Sequence, residues 1–199
     1  MMNTWKTTIV MVPNQMSNKI YYTDTQIDGF VMELVRQMLA DAWKPDYIVG
    51  LTRGGLVPAL KMSHYLGIPM ETLKVSLRDG GETESNCWMA EDAYGYIPAT
   101  QIPRPEGEAS SDPSLRAKIL IVDDINDTGA TLQWIKDDWS NSAFREDPEW
   151  ENIWHNNVRF MTIVDNDSSA FEVDYSAVSI NKAEEDVWVT FPWEEWWRK

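Results

Sequence analysis

Ile119-Leu120-Ile121-Val122-Asp123-Asp124-Ile125-Asn126-Asp127-Thr128-Gly129-Ala130-Thr131-Leu132 is the stretch that decides the fold. Its first four residues are apolar without alternation, the pattern of a strand covered on both faces. A polar turn containing Gly129 follows, and helical spacing then runs from about Ala130 to Trp139. Strand, polar turn and helix in that order form one half of a strand–helix–strand unit. In open α/β sheets the crevice beyond the carboxyl end of such a strand is where ligands bind.

The same grammar recurs on both sides. Upstream, a short apolar run at Tyr47–Leu51 leads into Arg53-Gly54-Gly55, and a helix is expected from near Val57, with Pro58 in its first turn, to Gly67. Before it, residues 23–43 carry Ile27, Phe30, Val31, Leu34, Val35, Met38, Leu39 and Ala42 at helical spacing, with Thr23 and Gln26 placed as a capping box and Pro45 as the stop. Downstream, Arg159–Val164, Val173–Ile180 and Val187–Val189 read as strands. Together these predict an α/β fold: a Rossmann-like core with a mainly parallel five-stranded sheet flanked by helices, plus a small hood or lid. The hood is placed at residues 79–117, where the periodicity fails and Gly, Glu, Ser and Pro accumulate around Trp88, Tyr94 and Tyr96. A structureless connection of that length is uncommon inside one domain unless it works as a lid; a disordered insertion is the plainer alternative.

Composition narrows the class. A chain of 199 residues suits one domain over 1–199. Seventeen basic against 32 acidic residues give a formal charge of −15, which argues against nucleic acid as a partner, because phosphate-tracking surfaces need excess Lys and Arg. No apolar run reaches membrane-spanning length, and the first fifteen residues lack a signal-peptide pattern. Cys87 is the sole cysteine, which excludes an intrachain disulfide and thiolate-cluster metal sites and suits a reducing, cytoplasmic setting. His64 and His155 stand apart from any nucleophile pattern and read as structural or surface residues.

The opening stretch also has a chemistry. Thr128, Gly129, Ala130 and Thr131 place backbone N–H groups and two hydroxyls at a helix N-terminus, which is a cradle for a phosphate. Asp123 and Asp124 would repel phosphate but accept hydrogen bonds from a vicinal diol. A sugar 5-phosphate satisfies both. The plain alternative is an acidic surface turn with a helix cap. Arg53 among glycines after a buried strand offers a charge beside open backbone N–H groups; alone, it reads equally well as a solvent-facing Arg in a turn.

The combination Val122-Asp123-Asp124 through Thr131 resembles the phosphoribosyl-pyrophosphate motif of type I phosphoribosyltransferases. The Val49–Ala59 turn is similar to the family's pyrophosphate loop, which implies that Arg53 and Gly54 hold the leaving group, often through a strained peptide at the basic-Gly step. Asp186–Glu194 looks like the base-binding segment of the xanthine-guanine and hypoxanthine subgroup, within a C-terminal base-binding region at 165–199. There the resemblance places an aromatic, Trp188, on the purine, the backbone of Val189 along the base edge, and Glu194 near an exocyclic group or the metal shell. Trp193, Trp196 and Trp197 are expected to pack. The likeness covers about residues 18–76 and 117–194.

Two departures stand out. Where the 6-oxopurine enzymes carry a Lys toward the purine oxygen, this chain has Asn166 between Asp165 and Asp167. Asn166 is therefore the candidate base-edge residue, an amide that can donate or accept. The Val75–Asp79 segment also lacks the subgroup's Ser-Tyr pair.

The resemblance implies transfer of a 5-phosphoribosyl group from phosphoribosyl pyrophosphate (PRPP) to a nucleobase, a 6-oxopurine by subgroup, with Mg²⁺ as cofactor. Asp123 and Asp124 would hold the ribose and reach the metal, in part through water. Asp127 would take the proton from the base, with N-capping of the next helix as its plainer role. Self-association into a homo-oligomer is implied as well. The alternatives are a non-catalytic nucleotide-sensing regulator on the same scaffold, or transfer to a non-purine acceptor.

Overall fold

The computed structural model describes residues 18–75, 87–97 and 110–198. The chain runs through β1 (Asn18–Tyr21), α1 (Asp24–Ala40), β2 (Tyr47–Thr52), α2 (Leu56–Leu66), β3 (Met70–Lys74), α3 (Cys87–Tyr94), β4 (Tyr96–Ile97) and β5 (Ser110–Ser111). It continues through β6 (Ile119–Asn126), α4 (Ala130–Ser142), α5 (Trp150–Ile153), β7 (Val158–Asn166), β8 (Tyr175–Ile180) and β9 (Val187–Thr190).

Five strands form one sheet in the order β3-β2-β6-β7-β8, and each neighbouring pair is parallel. Helices on both faces explain the unbroken apolar runs. In β6, Leu120 and Val122 pack toward α1 and α2, while Ile119 and Ile121 pack toward α3 and α4. Both faces are dry, so each position of the strand favours an apolar side chain.

The helices begin and end where their caps dictate. Thr23 Oγ1 accepts from the Gln26 N–H at 3.3 Å, and Gln26 Oε1 accepts from the Thr23 N–H at 3.0 Å, closing the expected capping box. Ile27, Val31, Leu34, Val35 and Met38 are buried along the predicted stripe. The helix stops at Ala40, short of 43, and Leu39 faces solvent. Gly67, at φ 64°, ends α2 in the left-handed conformation that glycine adopts without strain.

The structure differs from the sequence expectation in four places. β6 runs four residues past Val122, because β7 continues beside it and pairs Asp123 with Thr162 and Ile125 with Val164. β3 is an edge strand in which Leu73 is the one fully buried residue, so Met70–Lys74 shows no apolar run. β1 pairs in parallel with β9 in a separate two-stranded sheet, a contact between distant parts of the chain that no local pattern announces. Finally, part of the 79–117 segment belongs to the core. Met89, Ala90, Ala93 and Tyr94 of α3 are buried in the cluster shared with Leu132, Ile135 and Trp139 of α4, and β4 and β5 form an antiparallel ribbon. The rest of that segment, including the departure at 76–79, and the N-terminal fifteen residues lie outside the described residues. Among the described residues no helix is long and apolar enough to cross a membrane.

Candidate active site

From β2 the chain winds through α2 to β3 on one side. From β6 it winds through α4 to β7 and β8 on the other. β2 and β6 are neighbours, so their carboxyl ends diverge around a crevice at the point where winding reverses. A cleft of about 1100 Å³ opens there. It is lined by the turn after β2, by Asp123–Leu132, by Lys182 and by residues of the C-terminal segment from Trp188 to Trp197.

The turn after β2 lies directly on β6. A Cβ on Gly54 would stand 2.0 Å from Asp124 Oδ2, and one on Gly55 would stand 2.1 Å from the Val122 carbonyl oxygen. Only glycine allows this approach. Arg53 and Gly54 both line the cleft. The Thr52–Arg53 peptide is cis, one residue before the step at which the resemblance places an unusual peptide.

Asp123 and Asp124 lie at the floor, enclosed by protein yet touched by solvent at the cleft. Asp123 Oδ1 accepts from the Asp124 N–H at 2.9 Å. Burial first, and then the Asp124 charge, hold the Asp123 carboxyl well above the usual range. Burial and the charge of Glu194 push Asp124 up to about 6. Glu194 is itself oriented, with Oε2 accepting from the Phe191 N–H at 2.9 Å.

The turn between β6 and α4 is braced from behind. Gly129 stands at φ 84° as the N-cap of α4, with no side-chain cap on the helix. A Cβ there would meet the Phe171 backbone N at 2.7 Å. Asn126 Nδ2 donates to the Phe171 carbonyl and to Asp165 Oδ1, each at 2.8 Å, and its Oδ1 accepts from Ser169 Oγ at 3.0 Å. These bonds tie the turn after β7 to the turn before α4. Thr128, Gly129, Ala130 and Thr131 all face the cleft.

The N-cap residue of α4 is Gly129, two positions beyond Asp127. Asp127 Oδ1 lies 2.9 Å from Lys182 Nζ. Asn166 stands behind this pair rather than in the cleft lining. It is 5% exposed, and its Nδ2 donates to the Asp127 carbonyl at 2.8 Å. Its Oδ1 accepts from the Lys182 N–H at 3.0 Å and from Ser168 Oγ at 2.9 Å. The amide expected at the base edge is thus engaged with backbone on both sides.

Trp188 is 53% exposed while its neighbours Val187 and Val189 are buried in the core. Strand alternation turns the indole away from the core, and both Trp188 and Val189 border the cleft. Trp193 stacks on Phe191 with ring centroids 4.9 Å apart. Trp196 and Trp197 correct the expectation of packing: they are 66% and 61% exposed, edge to face with each other. They sit on a short 3₁₀ turn beyond the last strand, where no described element covers them, and Trp197 borders the cleft. Lys182 and Asn126 were not singled out from sequence. Lys182 follows β8 in an ordinary polar turn, and Asn126 lies inside the motif without a spacing that marks it.

The phosphoribosyl transferase domain matches residues 18–197, and the chain belongs to that family. It is a transferase of the phosphoribosyl class. It is similar to the xanthine-guanine phosphoribosyltransferase of Cereibacter sphaeroides, with 29% identity over 154 residues that span 77% of this chain and 70% of that one. The purine phosphoribosyltransferase from Pyrococcus horikoshii superposes with a TM-score of 0.57 at 25% identity, covering 89% of this chain and 95% of that chain. The xanthine-guanine-hypoxanthine phosphoribosyltransferase of Helicobacter pylori shares the fold, with a TM-score of 0.60 at 16% identity over 91% and 97% of the two chains.

Proposed function

We propose that the cleft transfers the 5-phosphoribosyl group of PRPP to a 6-oxopurine and releases pyrophosphate. The observation that carries this reading is the meeting, at one crevice, of a carboxylate pair, a helix N-terminus that begins at a glycine and the Arg53-Gly54 turn. Those three features match, in order, a ribose diol, a 5-phosphate and a pyrophosphate. The xanthine-guanine and purine relatives support a purine acceptor.

In the reaction a ring nitrogen of the base attacks the anomeric carbon as the bond to pyrophosphate breaks. Asp123 and Asp124 hold the ribose hydroxyls. Their charge lies where an oxocarbenium-like transition state becomes positive. Thr128–Thr131 hold the 5-phosphate, Arg53 and the Gly54 backbone receive the departing pyrophosphate, and Trp188 offers a flat face to the base. Asp127, beside the cradle, accepts the proton released by the attacking nitrogen.

Mg²⁺ fits this donor set only together with substrate. Among the described residues no cluster of three or more metal-ligating side chains forms, and Mg²⁺ is commonly held by one or two carboxylates with waters and substrate phosphates. Asp123 and Asp124 are the residues that would reach it, in part through water. When bound it neutralises charge on the leaving group. Residues 165–199 serve in this reading as the base-binding segment. Cys87, the sole cysteine of the sequence and exposed, suits a reducing compartment such as the cytoplasm.

Calorimetric titration tests the donor half of the reading directly. Mg²⁺-PRPP should bind to the wild-type protein and bind at least about tenfold more weakly to Asp124→Asn, as expected for loss of charge-assisted hydrogen bonds. Equal affinity in the two proteins would remove the carboxylate pair from the ribose site.

A further inference from the structure

The acceptor end of the cleft holds an ion pair that the sequence did not announce. Lys182 and Asp127 face each other at 2.9 Å, with side chains 22% and 28% exposed. Both line the cleft that Trp188 also borders. The pair is built rather than incidental. Asn166 holds its two backbones together, accepting from the Lys182 N–H and donating to the Asp127 carbonyl. Asn166, 5% exposed and outside the cleft lining, cannot reach a ligand in the cleft. The ammonium beside it can: it has three donor hydrogens, and one serves Asp127.

We propose that Lys182 is the specificity-determining residue for the acceptor, and that it selects a ring bearing an exocyclic oxygen over one bearing an exocyclic amine. The inference rests on the nucleobase-transfer reading above and deepens it. A flat ring lying along Trp188 presents its edge to a charge pair with one donor and one acceptor. An oxo group accepts from the ammonium, and a ring N–H donates to the carboxylate. An exocyclic amine presents hydrogens to a group that has only hydrogens to offer, and that mismatch leaves a desolvated donor unpaired. The positive charge at this end of the cleft thus comes from the turn after β8 rather than from the end of β7, where Asn166 stands.

The test is equilibrium binding, so it does not depend on turnover. Guanosine, inosine and adenosine 5′-monophosphates are titrated into the wild-type chain, Lys182→Met and Lys182→Arg, with ribose 5-phosphate as the probe that touches only the cradle and carboxylates. The wild type should favour the oxo nucleotides over adenosine monophosphate by about tenfold or more, the scale of a charged hydrogen bond. Lys182→Met should lose that preference while keeping ribose 5-phosphate affinity, and Lys182→Arg should retain most of it. A wild type without the preference, or a preference that survives in Lys182→Met, overturns the assignment. Loss of ribose 5-phosphate binding in the wild type would instead overturn the donor-site reading beneath it.

Discussion

At the scale of single residues, the proposed reaction separates groups that would hold the donor from groups that would act on the acceptor. Asp127 sits between the two, at the mouth of the cradle and against Lys182. Asp127→Ala should lower kcat by about 10²–10⁴, the range of general acid–base catalysis, while the KM for PRPP moves little. Unchanged turnover would exclude Asp127 as the proton acceptor. Trp188→Ala should raise the KM for the base by about tenfold, the scale of one stacked ring, with the KM for PRPP unchanged in steady-state kinetics. Much of this level was legible from sequence. Asp123–Leu132 and the Arg53-Gly54 turn gather at one cleft because their chemistry is local: a strand end and the helix start that follows it. Asn166 and Lys182 were not legible, because which one faces the cleft depends on how the turns after β7 and β8 pack together. Spacing along the chain carries no information about that.

At the scale of elements, Gly55 and Gly129 set distances to neighbouring backbone that no other residue permits. Gly129 combines φ 84° with a Cβ position 2.7 Å from the Phe171 backbone. Gly129→Ala should therefore cost about 1–3 kcal/mol from conformation alone, with the clash adding to it, and should weaken binding of the 5-phosphate. Urea unfolding and ribose 5-phosphate titration measure the two effects. Thr23→Ala, by contrast, removes half of a capping box far from the cleft, and should cost about 1 kcal/mol of stability while leaving both KM values in place. The helices and central strands could be read in advance because their apolar spacing and caps are local signals. β1 and β3 could not, since an edge strand with one buried side chain and a pairing across more than 160 residues leave no periodic trace. α3 was hidden for a related reason: its eight residues bury four side chains inside a stretch whose overall composition reads as loop.

For the whole molecule, the carboxylate pair links stability to pH. The folded-state pKa values of Asp123 and Asp124 lie above those of the unfolded chain, so the folded state binds more protons in between. Their contribution to the stability of the ligand-free protein is greatest at or below the ordinary carboxylate pKa. It falls as pH rises through about 6, where Asp124 ionises, and falls further as Asp123 follows. Asp124→Asn should flatten that decline in a series of thermal unfolding curves from pH 4.5 to 8, and a slope identical to wild type would contradict the burial of the pair. In the proposed reaction, ribose hydroxyls and a divalent cation would relieve the same crowding of charge and so favour ligand binding. The claim that unites these scales is phosphoribosyl transfer to an oxo base, and one measurement addresses it most directly. The chain is incubated with Mg²⁺, PRPP and, in turn, guanine, xanthine, hypoxanthine, adenine, uracil and orotate, and pyrophosphate release is followed. Release with the oxopurines, slight release with adenine, and none with the pyrimidines is the predicted result; PRPP bound without turnover of any base, or turnover confined to a non-purine, would contradict it.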